Sequence, residues 1–173
     1  MSTPTLYQFF RRKVEQGFGE SGIREAGTVD YVSDLLTRFA HTSALYAPDS
    51  RGRPLESVVQ HLTEHAEGEA ERRDRSRQVF IMRHLGEYTL FMSGLFRARL
   101  QARAQLGYYV DHGRSAYWTV ADFEHNQSRA RVFRRLYFDF ERISDALDRL
   151  WHEHLPLTPT GRPGEPLAIV WRL

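Results

Sequence analysis

Apolar residues recur at helical spacing along most of the chain, and their pattern predicts an all-α protein. Two stripes are the clearest, and the first has steps of three, four and seven residues. The first stripe is Val29, Val32, Leu36, Phe39 and Tyr46, and the second is Val132, Leu136, Phe140, Ile143, Leu147, Leu150 and Trp151. Each stripe describes one buried helix face. A third helix is predicted from Leu55, Val58, Val59, Leu62 and Ala66, which fall on one side of a helical wheel.

The segment 79–96 is apolar on nearly every side. A helix of that kind is surrounded by its neighbours, so we expect it at the centre of the protein. Gly86, Ser93 and Gly94 would let neighbouring helices approach it closely. The charged run 69–77 precedes it and predicts the exposed start of this helix.

The chain is predicted to form a single domain over residues 1–173. A short N-terminal helix is expected over 5–16, followed by a Gly-rich connector over 17–27. A helical bundle of four to five main helices should occupy 28–155, with Thr28 capping its first helix. A Pro-rich, non-helical tail covers 156–173, and within it only the last apolar run is expected to be a strand.

Composition narrows the classes of function. The 173 residues include no cysteine, which excludes disulfide frameworks, cysteine zinc sites and iron–sulfur clusters. We expect no membrane span, and the N-terminus lacks the pattern of a secretory signal, so we expect a cytoplasmic location. The segments 83–88 and 107–117 resemble stretches of bacterial proteins without identifying a family, and nothing about function is taken from them.

Histidine and carboxylate spacing gives little support for a metal. His61, Glu64 and His65 fit the H-x-x-E-H pattern of inverted zincins. The predicted wheel, however, points Glu64 away from the buried side and places the motif on an exposed helix edge. No Glu-x-x-His pair of the di-iron type occurs. A three-histidine site drawn from His41, His61 or His65, and the pair His152 and His154, stays as an alternative. We expect neither a metal nor a cofactor.

Polar side chains in the central helix are the main candidate site, because a buried charge needs a compensating partner. The candidate cluster, either ligand-binding or structural, is Arg83, His84, Glu87, Tyr109, Arg114 and Tyr117. Arg83 and Glu87 are spaced for pairing within the helix, and Arg114 is a candidate partner from the next helix. The cluster either fixes the helix register as a polar network or forms the polar floor of a small pocket.

Three functions follow from these observations, and the sequence favours the first. It is a non-enzymatic role through self-association or a protein partner, with a homodimer expected and the apolar tail docking on its own chain or a second subunit. The alternative is a small-molecule-binding or metal-binding bundle, which would permit an enzyme. The third is a nucleic-acid binder that uses arginine. All but one of the 24 basic residues are arginine, and the segment 97–135 holds much of the excess positive charge.

Overall fold

The computed structural model describes residues 4–40, 47, 49–53, 55, 57–72 and 74–155, with the backbone of 158–160 and 168–170. This part of the chain contains eight helices, and the protein is all-α as predicted. The helices are α1 (Leu6–Glu20), α2 (Ala26–Phe39), α3 (Val58–Ala70), α4 (Arg75–Leu95), α5 (Arg97–Ala102), α6 (Leu106–Phe123), α7 (Gln127–Phe138) and α8 (Phe140–His154). The strands are β1 (Thr158–Thr160) and β2 (Ala168–Val170).

The predicted central helix is α4, which packs against α3, α6 and α8. Its glycines permit the close approach that the sequence predicts. A Cβ atom at Gly94 would lie 2.7 Å from the Cβ of Leu147 on α8, and one at Gly86 would lie 3.0 Å from the Tyr117 ring on α6. Both distances are shorter than a normal carbon contact, so these backbones come together only without a side chain.

The start of the chain differs from the prediction. A capping box between Thr5 and Gln8 begins α1, which then continues through Gly17 to Glu20 instead of ending at residue 16. Gly17 is buried against Leu150 of α8, so it serves close packing and is not part of a connector. Thr28 was expected to cap the next helix. It lies inside α2, because the helix begins two residues before it, and its side chain is buried.

The number and ends of the later helices also differ. The charged run 69–77 holds the turn between α3 and α4, with Arg72 at a φ of 50°, and is not one continuous helix start. Asp74 caps α4 by accepting a hydrogen bond from the Ser76 amide. The long helix predicted over 128–154 is divided at Asp139 into α7 and α8. Its apolar stripe is continuous across the division, so spacing alone could not reveal the break.

The tail contains more regular structure than its prolines suggest. Strands β1 and β2 pair antiparallel, with Pro159 opposite Ile169. Both strands of a two-stranded sheet are edges, which is where a proline is tolerated within a strand. The six described residues of the tail are non-helical, as predicted, and the expectation of a single strand is corrected. The predicted roles of His41, Tyr46 and the apolar side chains of the tail lie outside the described residues. No described helix is long and apolar enough to cross a membrane.

Candidate functional site

The Glu87 carboxylate lies in the core at the contact between α2 and α4, with 2% of the residue exposed. It accepts four hydrogen bonds. Arg38 donates two, at 3.0 Å to Oε2 and 2.8 Å to Oε1. The Tyr31 hydroxyl and the Arg83 Nε each donate one to Oε1, at 2.7 Å and 3.1 Å. The burial of Glu87 and a bond to a cationic or phenolic side chain were expected from the sequence and are present, but of the residues that bond it only Arg83 had been named.

These contacts keep the carboxylate ionised. Burial alone would raise the pKa of Glu87, but the hydrogen bonds and charge of Arg38, with the charge of Arg83, lower it below its usual value. Burial together with the charge of Glu87 raises the pKa of Tyr31 well above its usual value, so its hydroxyl remains a donor. The Asp34 carboxylate lies 2.8 Å from Arg38 and adds a second negative charge to that of Glu87. These two charges balance those of Arg38 and Arg83. The network is therefore electrically neutral, with two acids and two bases.

Sequence reasoning found two of the five members of this network, Arg83 and Glu87. The pairing of Arg83 with Glu87 was predicted from their spacing and is present. Tyr31 and Arg38 were missed because they lie on α2, 56 and 49 residues away from Glu87. Their spacing of seven residues places both on one face of α2. A polar pair on one face of α2, beside its apolar stripe, was the sequence signal that could have indicated partners for a buried charge.

Three other predicted members make no hydrogen bond to Glu87. Arg114 donates its Nε hydrogen bond to the backbone oxygen of Tyr137, 3.1 Å away on α7, and does not reach Glu87. Tyr109 packs on the ring of Tyr88. Tyr117 is fully buried with its ring against that of Tyr31, and its hydroxyl makes no hydrogen bond of normal geometry with a described residue. Burial raises the pKa of Tyr117, and the charge of Glu87 adds to that effect.

His84, the remaining predicted member, forms a pair with His61 of α3. The two rings are stacked with an interplanar angle of 7°, and His61 Nε2 lies 2.9 Å from His84 Nδ1. His61 Nδ1 also lies 2.8 Å from the backbone oxygen of Ser57. Since that oxygen can only accept, a neutral His61 carries its proton on Nδ1 and accepts the His84 Nδ1 proton at Nε2. Burial, together with the charge of a protonated His84, lowers the pKa of His61 to about 4.

The predicted exposed edge of α3 is wrong. His61 and Glu64 are buried, while Val59 is 61% exposed. The face of α3 that meets α4 runs through Val58, His61 and Gly68, because Gly68 lets the Gln78 side chain lie against the helix. The helical wheel was centred on the aliphatic residues, and it therefore assigned the wrong side of α3 to the core. Both nitrogens of His61 are engaged in hydrogen bonds, so this arrangement leaves neither free to bind a metal.

Another group of potential metal ligands lies at the ends of α1 and α8. His154 Nε2 is 3.4 Å from a Glu20 carboxylate oxygen and 3.9 Å from a Glu153 oxygen, and the three ligand atoms lie within 4.8 Å of one another. Both glutamates are exposed. A histidine between two surface carboxylates is an ordinary arrangement at helix C-termini, where positive charge is favoured. The expected absence of a metal stays a prediction.

An exposed aromatic face joins α6 and α7, and the sequence analysis missed it. We define the aromatic face as Trp118, Tyr137 and Phe138. The Trp118 ring lies 5.0 Å from the Tyr137 ring and 6.4 Å from the Phe138 ring. Trp118 is 42% exposed and Phe138 is 66% exposed. The Arg114 guanidinium lies 4.9 Å from the centre of the Tyr137 ring, and the residues here border a cleft of about 350 Å³.

Comparison of the chain with protein-family models, curated proteins and solved structures finds no match. The class of protein is therefore described from its fold and its side-chain contacts. It is an all-α protein with a saturated ionic network inside and an aromatic face outside.

Proposed function

We propose that the protein is non-enzymatic and acts by self-association through the aromatic face. The supporting observation is the exposure of Trp118 and Phe138 in one contiguous group of rings. Tryptophan, tyrosine and arginine are the side chains that contribute most to binding at protein interfaces. Exposed apolar area of this kind is a cost in water that burial against a partner removes.

The interior gives less support to the alternative of a catalytic or ligand-binding core. A base must have a lone pair free to take a proton, and a pKa close to the working pH. Glu87 has a lowered pKa and accepts four hydrogen bonds from its own chain. A ligand would have to displace a bidentate arginine to reach it. The network instead ties α2 to α4.

The nucleic-acid hypothesis is also less well supported. A phosphate backbone is bound by arginines whose charge is not already compensated. On α7, Arg135 pairs with Glu25 and Asp139, and Arg129 lies 3.5 Å from Glu124. Half of the exposed arginines of this helix are therefore neutralised by their own chain.

Sedimentation tests the proposed function. We expect the wild-type protein to have twice the mass of the chain and the double variant Trp118→Ala, Phe138→Ala to have the mass of one chain. Unchanged helical circular dichroism would show that the variant folds. The control is Phe80→Ala, which removes a ring that is 45% exposed on α4 beside His84. A wild-type protein that stays monomeric at all attainable concentrations contradicts the proposal.

A further inference from the structure

The buried side of α3 is mostly polar. Its buried residues are Val58, His61, Glu64 and Gly68. Only Val58 among them is aliphatic, Leu62 is partly buried, and Val59 is exposed. A surface helix of a globular protein usually packs on its neighbours through an apolar stripe. The docking of α3 therefore depends to an unusual degree on polar contacts.

Among the described elements, α4 alone makes an extensive contact with α3. Helix α4, in contrast, also packs against α6 and α8. The hydrogen bonds between Arg38 and Glu87 tie it to α2 as well. The other helices thus have contacts of their own that do not involve α3.

The pair of His61 and His84 lies in the contact between α3 and α4. His61 Nε2 is 2.9 Å from His84 Nδ1, and the His61 ring also lies beside the ring of Tyr88 on α4. From α2, the uncharged ring of Phe39 packs on His84, and from α6 the ring of Tyr109 packs on Tyr88. His84 is therefore the group that changes charge at hydrogen-bond distance from His61.

The other charged groups of this contact attract one another. Arg77 of α4 lies 3.8 Å from the buried carboxylate of Glu64. His65 lies 3.9 Å from Glu69 on the same helix. Because opposite charges attract, a proton on His65 would strengthen its contact with Glu69.

The geometry of the histidine pair admits one added proton but not two. Since His61 donates its Nδ1 hydrogen to the Ser57 backbone oxygen, its Nε2 accepts the hydrogen on His84 Nδ1. With one further proton on either ring, a single hydrogen can still lie between the two nitrogens, and the bond survives. Protons on both rings place two N–H groups and two positive charges against each other inside a buried contact.

We propose that α3 is an acid-releasable helix, which detaches from α4 when both His61 and His84 are protonated while the other helices stay packed. The Glu87 network on α4 does not share this sensitivity. Against the effect of burial, the hydrogen bonds and charge of Arg38 hold the pKa of Glu87 below its usual value, so it stays ionised in mild acid. The inference is independent of the aromatic face, since α3 carries none of its residues.

Hydrogen exchange followed by mass spectrometry on the whole wild-type chain tests the release. Burial, together with the charge of His84, lowers the pKa of His61 to about 4 in the docked helix, and release restores a value of about 6.5. Acid therefore favours release. From pH 7 to pH 5 we expect the protection factors of the α3 amides to fall about twentyfold.

Low concentrations of urea distinguish the release of α3 from unfolding of the whole chain. Release exposes little surface, so α3 should be less protected than α6 and α8 at both pH values, and its protection should respond only weakly to urea. Exchange in α6 and α8 should increase with urea, because it requires global unfolding. If α3 shares the protection and urea dependence of α6 and α8, or shows no fall with acid, the inference is overturned.

Three variants test whether the histidine pair is responsible. His61→Gln should abolish the fall in α3 protection with acid, and His84→Gln should reduce it, because His61 then meets no second charge. His65→Gln is the matched control one turn further along α3 and should keep the wild-type fall. A wild-type fall in His61→Gln or His84→Gln, or its loss in His65→Gln, contradicts the proposal. If His61→Gln and His84→Gln both leave α3 unprotected at pH 7, the shape of the pair and not its charge holds the helix, and the inference is again overturned.

Discussion

Arg38 on α2 binds the Glu87 carboxylate on α4 through both terminal nitrogens of its guanidinium, at 3.0 Å and 2.8 Å. Glu87 is 2% exposed, whereas a third of the Arg38 side chain is exposed. The pair therefore joins a fully desolvated anion to a cation at the edge of solvent. Loss of Glu87 would leave Arg38 partly buried and without a counter-charge on α4. Removing only one partner of a buried ion pair is the costly way to break it.

Replacement of Glu87 should destabilise the protein strongly. Glu87→Ala removes the acceptor of four hydrogen bonds, and we expect a loss of about 3 kcal/mol or more in the free energy of unfolding. Urea unfolding followed by circular dichroism measures it. The control is Asp34→Ala, which removes the exposed partner of the same arginine and should cost at most about 1 kcal/mol. An unchanged unfolding midpoint for Glu87→Ala would refute the role of the network.

The contrast between Arg83 and Arg38 shows what sequence could and could not predict here. Arg83 is four residues from Glu87, and helix geometry alone brings such residues together. Arg38 reaches Glu87 only because α2 packs on α4 in one rotation and register, which are fixed by the whole core. The same limit applies to His61, where packing against His84 and Tyr88 of α4 overrode the aliphatic pattern of α3. The all-α class followed from spacing, which is a local property.

The pH dependence of stability should report the burial of His61. Its pKa is about 4 in the folded protein and about 6.5 when unfolded, so the unfolded chain binds the additional proton between these values. The contribution of neutral His61 to the free energy of unfolding is complete above pH 6.5 and is lost as the pH falls. The loss reaches about 3 kcal/mol below pH 4. The variant His61→Gln should therefore show a shallower fall in the free energy of unfolding between pH 6.5 and pH 4.

The exposed His152 provides the comparison for that experiment. We expect His152→Gln to retain the wild-type slope, because its ring lies at the surface near the end of α8. Equal slopes for the wild type and His61→Gln would mean that His61 is not held neutral by burial.

A single glycine should stabilise the turn between α5 and α6. Ala104 has a φ of 54°, and its amide donates to the Gln101 oxygen while the Gln105 amide donates to the Leu100 oxygen. This is the Schellman motif, in which the left-handed position favours glycine. Ala104→Gly should raise the free energy of unfolding by about 1 kcal/mol, since the Cβ atom is strained there.

The same substitution inside α5 should have the opposite sign. Ala98 is exposed and helical, so Ala98→Gly should lower stability by about 0.5–1 kcal/mol. Thermal unfolding of the two variants side by side measures both effects. A destabilising Ala104→Gly would contradict the strain assigned to that turn.

Deletion of residues 156–173 should show whether the tail takes part in self-association. The backbone of β1 pairs with that of β2, so the two strands satisfy part of each other's hydrogen bonding within the tail. We expect the tail to dock on its own chain, because an apolar segment left exposed would promote aggregation. The truncated protein should then unfold at a lower temperature while it keeps the dimeric mass in light scattering, since the aromatic face lies on α6 and α7. Conversion of the dimer to a stable monomer would instead place the tail between subunits. A truncated protein with both mass and melting temperature unchanged would show that the tail docks in neither way.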